Sequence, residues 1–139
     1  MTKIKYDFQL MRFMSLFERV TRASLHDCYE DHNQTMVFVV KKGELGKALG
    51  KKAANVHKLS ELLKRKVRIV QFDEDICRFV ANLIYPLKAE RITLDDENIV
   101  IQGGDTKTKG LLIGRDFRNL KQTTNIVKRY FPIRDMKVV

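Results

Sequence analysis

Hydrophobic residues recur along this chain with two different spacings. Near the amino terminus they lie three or four positions apart, at Leu10, Phe13, Met14, Phe17 and Val20. This spacing places side chains on one face of an α-helix. Shorter apolar-rich runs follow on either side of polar turns, which is typical of β-hairpins. The pattern therefore predicts helices and strands in an ordered succession.

The same succession is predicted twice. Hairpins over residues 25–40 and 91–102 enclose acidic turns, and each follows an apolar helix. A short helix, a glycine turn and a longer helix come next, and final strands are predicted over residues 67–71 and 133–138. Each half of the chain is thus predicted as helix, strand, strand, helix, helix, strand.

The repeat is also visible in the residues themselves, because residues 46–51 align with residues 110–115. The recurring positions are Gly46 and Gly110, Gly50 and Gly114, Lys51 and Arg115, and Asn55 and Asn119. Such self-similarity predicts one unit built twice. We expect domains over residues 1–73 and 74–139. No spacer rich in Gly, Ser or Pro separates them, so they are expected to dock directly.

Charge narrows the class of partner. The 139 residues are 44% hydrophobic, enough for a folded core, and carry a formal net charge of +10. A field of this sign favours polyanions, nucleic acid first among them. The segment from Met1 to Asp7 is polar, and no apolar run approaches the roughly 20 residues that span a bilayer. We therefore expect a cytoplasmic protein with no membrane contact.

The glycine turns before the two longer helices are the candidate binding sites. Glycine permits positive φ and close approach of a ligand, while the free N–H groups and the dipole of the next helix attract an anion. Basic side chains flank both turns and would neutralise phosphates. The candidate residues are, in the first copy, Lys47, Gly50, Lys51, Lys52, Ala53, Asn55 and Lys58, and, in the second, Gly114, Arg115, Asp116, Phe117, Arg118, Asn119 and Lys121.

Residues 47–56 and 112–120 resemble the GxxG element of type II KH domains, a helix, glycine loop and helix that bind RNA. Two such units in tandem resemble the short archaeal form of NusA, a transcription elongation and termination factor. The resemblance covers almost the whole chain. It implies an α+β fold of two type II KH-like modules, each with a mixed three-stranded sheet and helices on one face.

The resemblance also implies a function. Each loop would clamp about four nucleotides of single-stranded RNA, with the bases lying across an adjacent hydrophobic groove. In proteins of this kind the two modules pack rigidly and bind one continuous strand. RNA polymerase or associated transcription factors would be further partners, and the chain is expected to act as a monomer.

Both loops depart from the GxxG pattern, since Ala53 and Phe117 stand where the second glycine would be. Alanine is expected to be a mild change, because it allows close approach and starts a helix well. Phe117 could stack on a base, cover the loop against the core, or block a phosphate. Asp116 adds a negative charge beside the phosphate site. The first loop is therefore expected to bind more strongly.

Other functions remain open on the residues alone. A KH fold can serve as a protein-interaction scaffold, and a basic chain can bind single-stranded or duplex DNA. His26, Cys28 and His32 lack a fourth zinc ligand at a familiar spacing. The acidic runs at residues 73–75 and 95–97 fit a helix cap and a hairpin turn better than a pair of catalytic carboxylates. We expect neither an enzyme nor a bound metal or cofactor.

Overall fold

The computed structural model describes residues 7–139, and the chain divides into two compact units between Asp73 and Glu74. The polar segment from Met1 to Asp7 lies outside the described residues, except for Asp7. We describe each unit as a module, the first ending at Asp73 and the second spanning Glu74–Val139. Within residues 7–139, none of the helices is long and apolar enough to cross a membrane.

The first module has the predicted order of elements. They are α1 (Phe8–Thr21), β1 (Leu25–Glu30), β2 (Met36–Val40), α2 (Leu45–Leu49), α3 (Ala54–Leu63) and β3 (Val67–Gln71). The sheet has the order β1-β2-β3. β1 pairs with β2 antiparallel and β2 with β3 parallel, so the sheet is mixed.

The second module repeats this arrangement. Its elements are α4 (Ile76–Ile84), β4 (Arg91–Asp95), β5 (Asn98–Gln102), α5 (Thr106–Ile113), α6 (Arg118–Tyr130) and β6 (Asp135–Val138). The sheet order is β4-β5-β6, again with one antiparallel and one parallel pair. The α+β fold of two KH-like modules is confirmed. The last strand begins two residues later than predicted, because residues 131–134 form the connection from α6.

The core of the first module accounts for one face of β2, a strand whose five residues are all apolar and buried. Met36, Phe38 and Val40 lie on one face of the strand and are buried against side chains from all three helices. Phe17 of α1 stacks on Phe38 with ring centroids 4.4 Å apart. The helices therefore cover this face of the sheet, and the apolar stripe predicted for α1 belongs to the core.

In the second module, the predicted apolar face of α4 is likewise buried, at Phe79, Val80 and Leu83. The aromatic ring of Phe79 meets Tyr130 near the end of α6 edge-on, with centroids 5.5 Å apart. This packing fixes the carboxyl end of α6. The amino end of the same helix directly follows the second glycine loop.

Candidate nucleic-acid interface

Two glycines end the short helices with a conformation that other residues avoid. Gly50, after α2, has φ 73° and ψ 177°, and Gly114, after α5, has φ 74° and ψ 170°. Positive φ with ψ near 180° is essentially confined to glycine. The N–H of Gly50 donates to the carbonyl of Gly46 and that of Gly114 to the carbonyl of Gly110. The backbone thus turns sharply at both of the predicted glycines.

The residues after each glycine have matching backbone geometry as well. Lys52 and Ala53 are left-handed, with φ 54° and 58°, and so are Asp116 and Phe117, with φ 55° and 62°. In each loop the fourth residue donates its N–H to the glycine carbonyl at 3.2 Å. The duplication predicted from the sequence therefore extends to the loop backbone, although the residues at the third loop position differ in charge and those at the fourth differ in size.

The structure corrects our expectation for Ala53. Alanine was expected to be mild there because it starts a helix well, but Ala53 precedes α3 in the left-handed region, with φ 58° and ψ 29°. A residue with a Cβ atom costs roughly 1–2 kcal/mol in this conformation. Phe117 has the same cost, and its ring is 57% exposed, so it does not cover the loop against the core. The loops keep the backbone of a GxxG element without its second glycine.

Restoring that glycine should therefore stabilise the first module. We expect Ala53→Gly to raise the free energy of unfolding by about 1 kcal/mol, because relief of left-handed strain exceeds the entropy that glycine adds to the unfolded chain. Urea unfolding measures this change. Ala54→Gly is the matched control, because Ala54 is helical, with φ −57°, and glycine there should destabilise. Equal effects of the two substitutions would contradict the strain at Ala53.

Two asparagines hold the loops closed. The Nδ2 of Asn55 donates to the carbonyl of Lys47 at 3.3 Å, and that of Asn119 donates to the carbonyl of Leu111 at 2.7 Å. Each side chain also lies against the loop glycine, where an added Cβ would come within 2.9 Å of Asn55 and 2.6 Å of Asn119. Both were predicted as RNA-binding residues, and in the structure they connect the two helices that flank each loop.

The helices that follow the loops begin differently from the other long helices. The side chains of Asp7, Asp75 and Asp105 accept hydrogen bonds from the first-turn amides of α1, α4 and α5. The N–H of Thr108, donated to Asp105, holds the pKa of that carboxyl below its ordinary value. By contrast, no side chain caps α3 or α6, and neither helix has an acidic residue in its first turn. These two amino termini are open to an external anion.

Six of the predicted basic side chains lie in the loops or within the first five residues of the helices that follow, and they are exposed. Lys51, Lys52 and Lys58 of the first module are exposed, as are Arg115, Arg118 and Lys121 of the second. Among residues 7–139, none of these six forms an ion pair within 4 Å.

The net positive charge at the loops is reduced at two of the predicted site residues. Lys47 lies 3.6 Å from Glu44, which also accepts the N–H of Ser24. That N–H is the main cause that lowers the pKa of Glu44, with a smaller contribution from Lys47. Part of the Lys47 charge is thus already balanced. Asp116 is exposed at the second loop.

A groove that the sequence did not locate lies beside the second loop. It has a volume of about 460 Å³ and runs between α6 and β6. Its lining includes Phe117, Leu120, Thr124, Lys128, Met136 and Lys137. Phe117 belongs both to the loop and to the groove. The spacing of Leu120, Thr124 and Lys128 along one helical face was the available signal, but the strand opposite them could not be foreseen without the fold.

The residues considered for zinc do not gather into a metal centre. Cys28 is buried in the first core, and the ring of His26 stacks on Phe72 at 3.9 Å. Within the part of the chain that the structure describes, no group of three or more His, Cys, Asp or Glu side chains is arranged to hold a metal.

No protein-family model matches the chain. Individual relatives do. A probable transcription termination protein NusA of Methanococcus vannielii is 27% identical over 99% of this chain and 80% of its own length. A protein of the same name from Halococcus morrhuae is 29% identical, over 92% of this chain and 93% of its own.

Among solved structures, the crystal structure of APE1850 is similar in fold. It has a TM-score of 0.74 and 24% identity, and the match covers 96% of this chain and 100% of that one. Similarity to proteins named NusA over nearly the whole length, on a fold of two KH-like modules, supports the resemblance of this chain to archaeal NusA.

Proposed function

We propose that this protein binds single-stranded RNA through both modules and acts in transcription termination and elongation without catalysing a reaction. One observation carries the proposal: a glycine turn leading into an uncapped helix, flanked along the chain by exposed cations, is built twice with the same backbone. The names of the archaeal relatives support the role in transcription.

In the first module, the amino terminus of α3 receives a phosphate of the RNA backbone. The amides of the turn and the helix dipole point partial positive charge at one place, and Lys51 and Lys52 of the loop are exposed beside it. Lys58, one turn further along α3, meets a neighbouring phosphate. This module therefore contributes mainly charge, which binds RNA without distinguishing its sequence.

In the second module, bases contribute more of the binding. Arg115, Arg118 and Lys121 hold the backbone at the amino end of α6, while Asp116 opposes them. The exposed ring of Phe117 stacks on a base at the entrance of the groove, and Met136 and Leu120 supply its apolar walls. Lys128 and Lys137 attract the strand along the groove.

The wider role follows from the same contacts. By holding transcript RNA as it leaves the polymerase, the protein biases termination, antitermination and elongation. RNA polymerase or an associated transcription factor is the proposed protein partner. We further propose that it acts as a cytoplasmic monomer without a cofactor.

Competition binding tests the central claim. Labelled single-stranded RNA is bound to the whole protein, and unlabelled single-stranded RNA, single-stranded DNA or duplex DNA is added at equal phosphate concentration. We expect only single-stranded RNA to compete fully. Equal displacement by duplex DNA would reduce the contact to charge alone, and no RNA binding at low salt would leave a protein-interaction scaffold.

Phe117→Ala should weaken RNA binding about tenfold, because stacking a base on an aromatic ring contributes about 1–3 kcal/mol. Fluorescence anisotropy with a short single-stranded RNA measures the dissociation constant. Since Phe117 is left-handed, Phe117→Gly should retain the loop and show the same loss of affinity while unfolding at higher urea concentration.

Phe8→Ala is the control for this ring. Phe8 is 86% exposed and lies in the first module at the start of α1, away from either loop along the chain. The Phe8→Ala variant should bind RNA as tightly as the unaltered protein. If Phe117→Ala binds as tightly as Phe8→Ala, stacking at the second loop is wrong.

A further inference from the structure

An acidic corner interrupts the positive surface of the second module. The sequence contains two acidic runs, at residues 73–75 and 95–97, and one residue of the first and two of the second meet around one pocket. These are Glu74, Asp96 and Glu97, all exposed. In a chain with net charge +10, three carboxylates at one place form a surface with chemistry opposite to that of the loops.

The pocket inside this rim is apolar. It has a volume of about 370 Å³, and its walls include Ile76 from α4, Leu94 from β4, and Phe131 and Ile133 from the connection between α6 and β6. Leu94 is 50% exposed on its strand. An apolar cavity with a charged rim is the form of a site for one anchoring side chain of a protein partner.

Hydrogen bonds hold the walls in place. The N–H of Arg134 donates to the carbonyl of Glu97 at 2.7 Å, and its Nη2 donates to the Glu97 carboxylate at 3.2 Å. Asp75 caps α4 next to Ile76. Glu97 is therefore balanced by Arg134, whereas Glu74 and Asp96 form no ion pair within 4 Å among the described residues.

The position separates this pocket from the second glycine loop. Phe131 directly follows the carboxyl end of α6, and Arg118 begins the same helix at the glycine loop. Thirteen helical residues place the two ends about 18 Å apart, at 1.5 Å per residue. The carboxylates would also repel a phosphate backbone. RNA is thus disfavoured as the occupant.

We propose that this pocket docks a segment of a protein partner that presents an aliphatic or aromatic side chain flanked by Lys or Arg. The apolar walls take the anchor, and Glu74 and Asp96 pair with the flanking cations. The docked segment lies at the carboxyl end of α6, while the phosphates proposed for the glycine loop lie at its amino end, so RNA held at the loop leaves the pocket free. This inference stands whether or not the loops bind RNA.

The test uses the whole protein labelled with ¹⁵N and three short synthetic peptides. One has leucines flanked by lysines, the second has the same leucines flanked by glutamates, and the third has lysines with alanines in place of leucines. We expect only the first to shift the amide signals of Ile76, Leu94 and Ile133. Binding should weaken at high salt, because the charges that guide it are exposed.

Variants complete the test. The neutralising pair Glu74→Gln and Asp96→Asn should raise the dissociation constant of the leucine-lysine peptide about tenfold, because two charge pairs are lost. Leu94→Asp should abolish its binding. Asn also suits the left-handed backbone at Asp96, so the fold is kept. Circular dichroism of each variant establishes that the fold persists.

Three results would overturn the proposal. The first is that the leucine-lysine peptide fails to bind or shifts signals elsewhere. The second is that single-stranded RNA shifts the signals of Ile76, Leu94 and Ile133. The third is that the protein dimerises through this face. Dimerisation would be detected as a sedimentation coefficient that falls with Leu94→Asp. Unchanged peptide affinity in the neutralising pair would also reject the rim as the source of specificity.

Discussion

Replacing Lys51 and Lys52 together with glutamate should weaken single-stranded RNA binding about hundredfold, because a hydrogen bond to a charged group contributes about 1.5–3 kcal/mol and two such contacts are lost. Both side chains are exposed beside the open amino terminus of α3. The salt dependence should change as well. The slope of log K against log salt concentration should fall by about 1.4, since each single-strand phosphate contact contributes about 0.7.

A matched control lies at the other end of the same helix. Lys64 and Lys66 are also exposed, and Lys64 is left-handed, with φ 55°, like Lys52 with φ 54°. The pair Lys64→Glu and Lys66→Glu changes the net charge by the same amount and places glutamate in the same backbone conformation. It should leave RNA affinity within about threefold of the unaltered protein, because screening limits exposed charges to about 10 Å.

Equal weakening by the two pairs would mean that RNA responds to total charge and that the first loop is no special site. Circular dichroism of both pairs establishes that the fold persists. Loss of binding in the loop pair alone, with a reduced salt slope, is the expected pattern.

The fold could be predicted because local signals agreed with one another. The spacing of Phe13, Met14 and Phe17 marked a helix, the acidic turns marked hairpins, and the repeat fixed the order of elements twice. Parallel pairing of β2 with β3 could not be derived from alternation, since a strand buried on both faces has no alternating pattern. It came from the resemblance to KH domains.

The loop positions were predictable, but the roles of their residues were only partly so. A glycine before a helix indicated a turn, whereas the left-handed backbone at Ala53 depends on the turn that follows Gly50. Asn55 and Asn119 were predicted as ligand contacts because they recur, and in the structure each also links the two helices flanking a loop. Recurrence alone does not distinguish a structural hydrogen bond from a binding contact.

The two modules have diverged in a way that the shared backbone makes visible. At matching positions the first loop has Lys52 and Ala53, and the second has Asp116 and Phe117. One loop therefore offers charge and the other an aromatic surface beside a groove. Our expectation that the first loop binds more strongly rested on the bulk of Phe117 and the charge of Asp116. The groove beside Phe117 gives the second loop a contact of a different kind.

The second large effect, a loss of stability, is expected from substitution of the loop glycines. Gly114→Ala should lower the free energy of unfolding of the second module by about 3 kcal/mol, because φ 74° with ψ 170° costs a residue with a Cβ about 1–3 kcal/mol. The new Cβ would also lie 2.6 Å from Cγ and 2.9 Å from the backbone nitrogen of Asn119. The backbone atom cannot rotate away. Urea unfolding followed by the NMR signals of each module measures the change separately in the two halves.

Gly110→Ala is the control within the same helix. Gly110 is helical in α5, and nothing lies within 4 Å of its added Cβ, so alanine should stabilise by about 0.5–1 kcal/mol. In the first module, Gly50→Ala and Gly46→Ala form the equivalent pair. The loss at Gly50 should be smaller than at Gly114, because the contacts there, at 2.9 Å and 3.0 Å, are to the side chain of Asn55 and not to backbone. If Gly114→Ala unfolds at the same urea concentration as Gly110→Ala, the sharp turn does not require glycine, and the geometry on which both RNA sites depend is wrong.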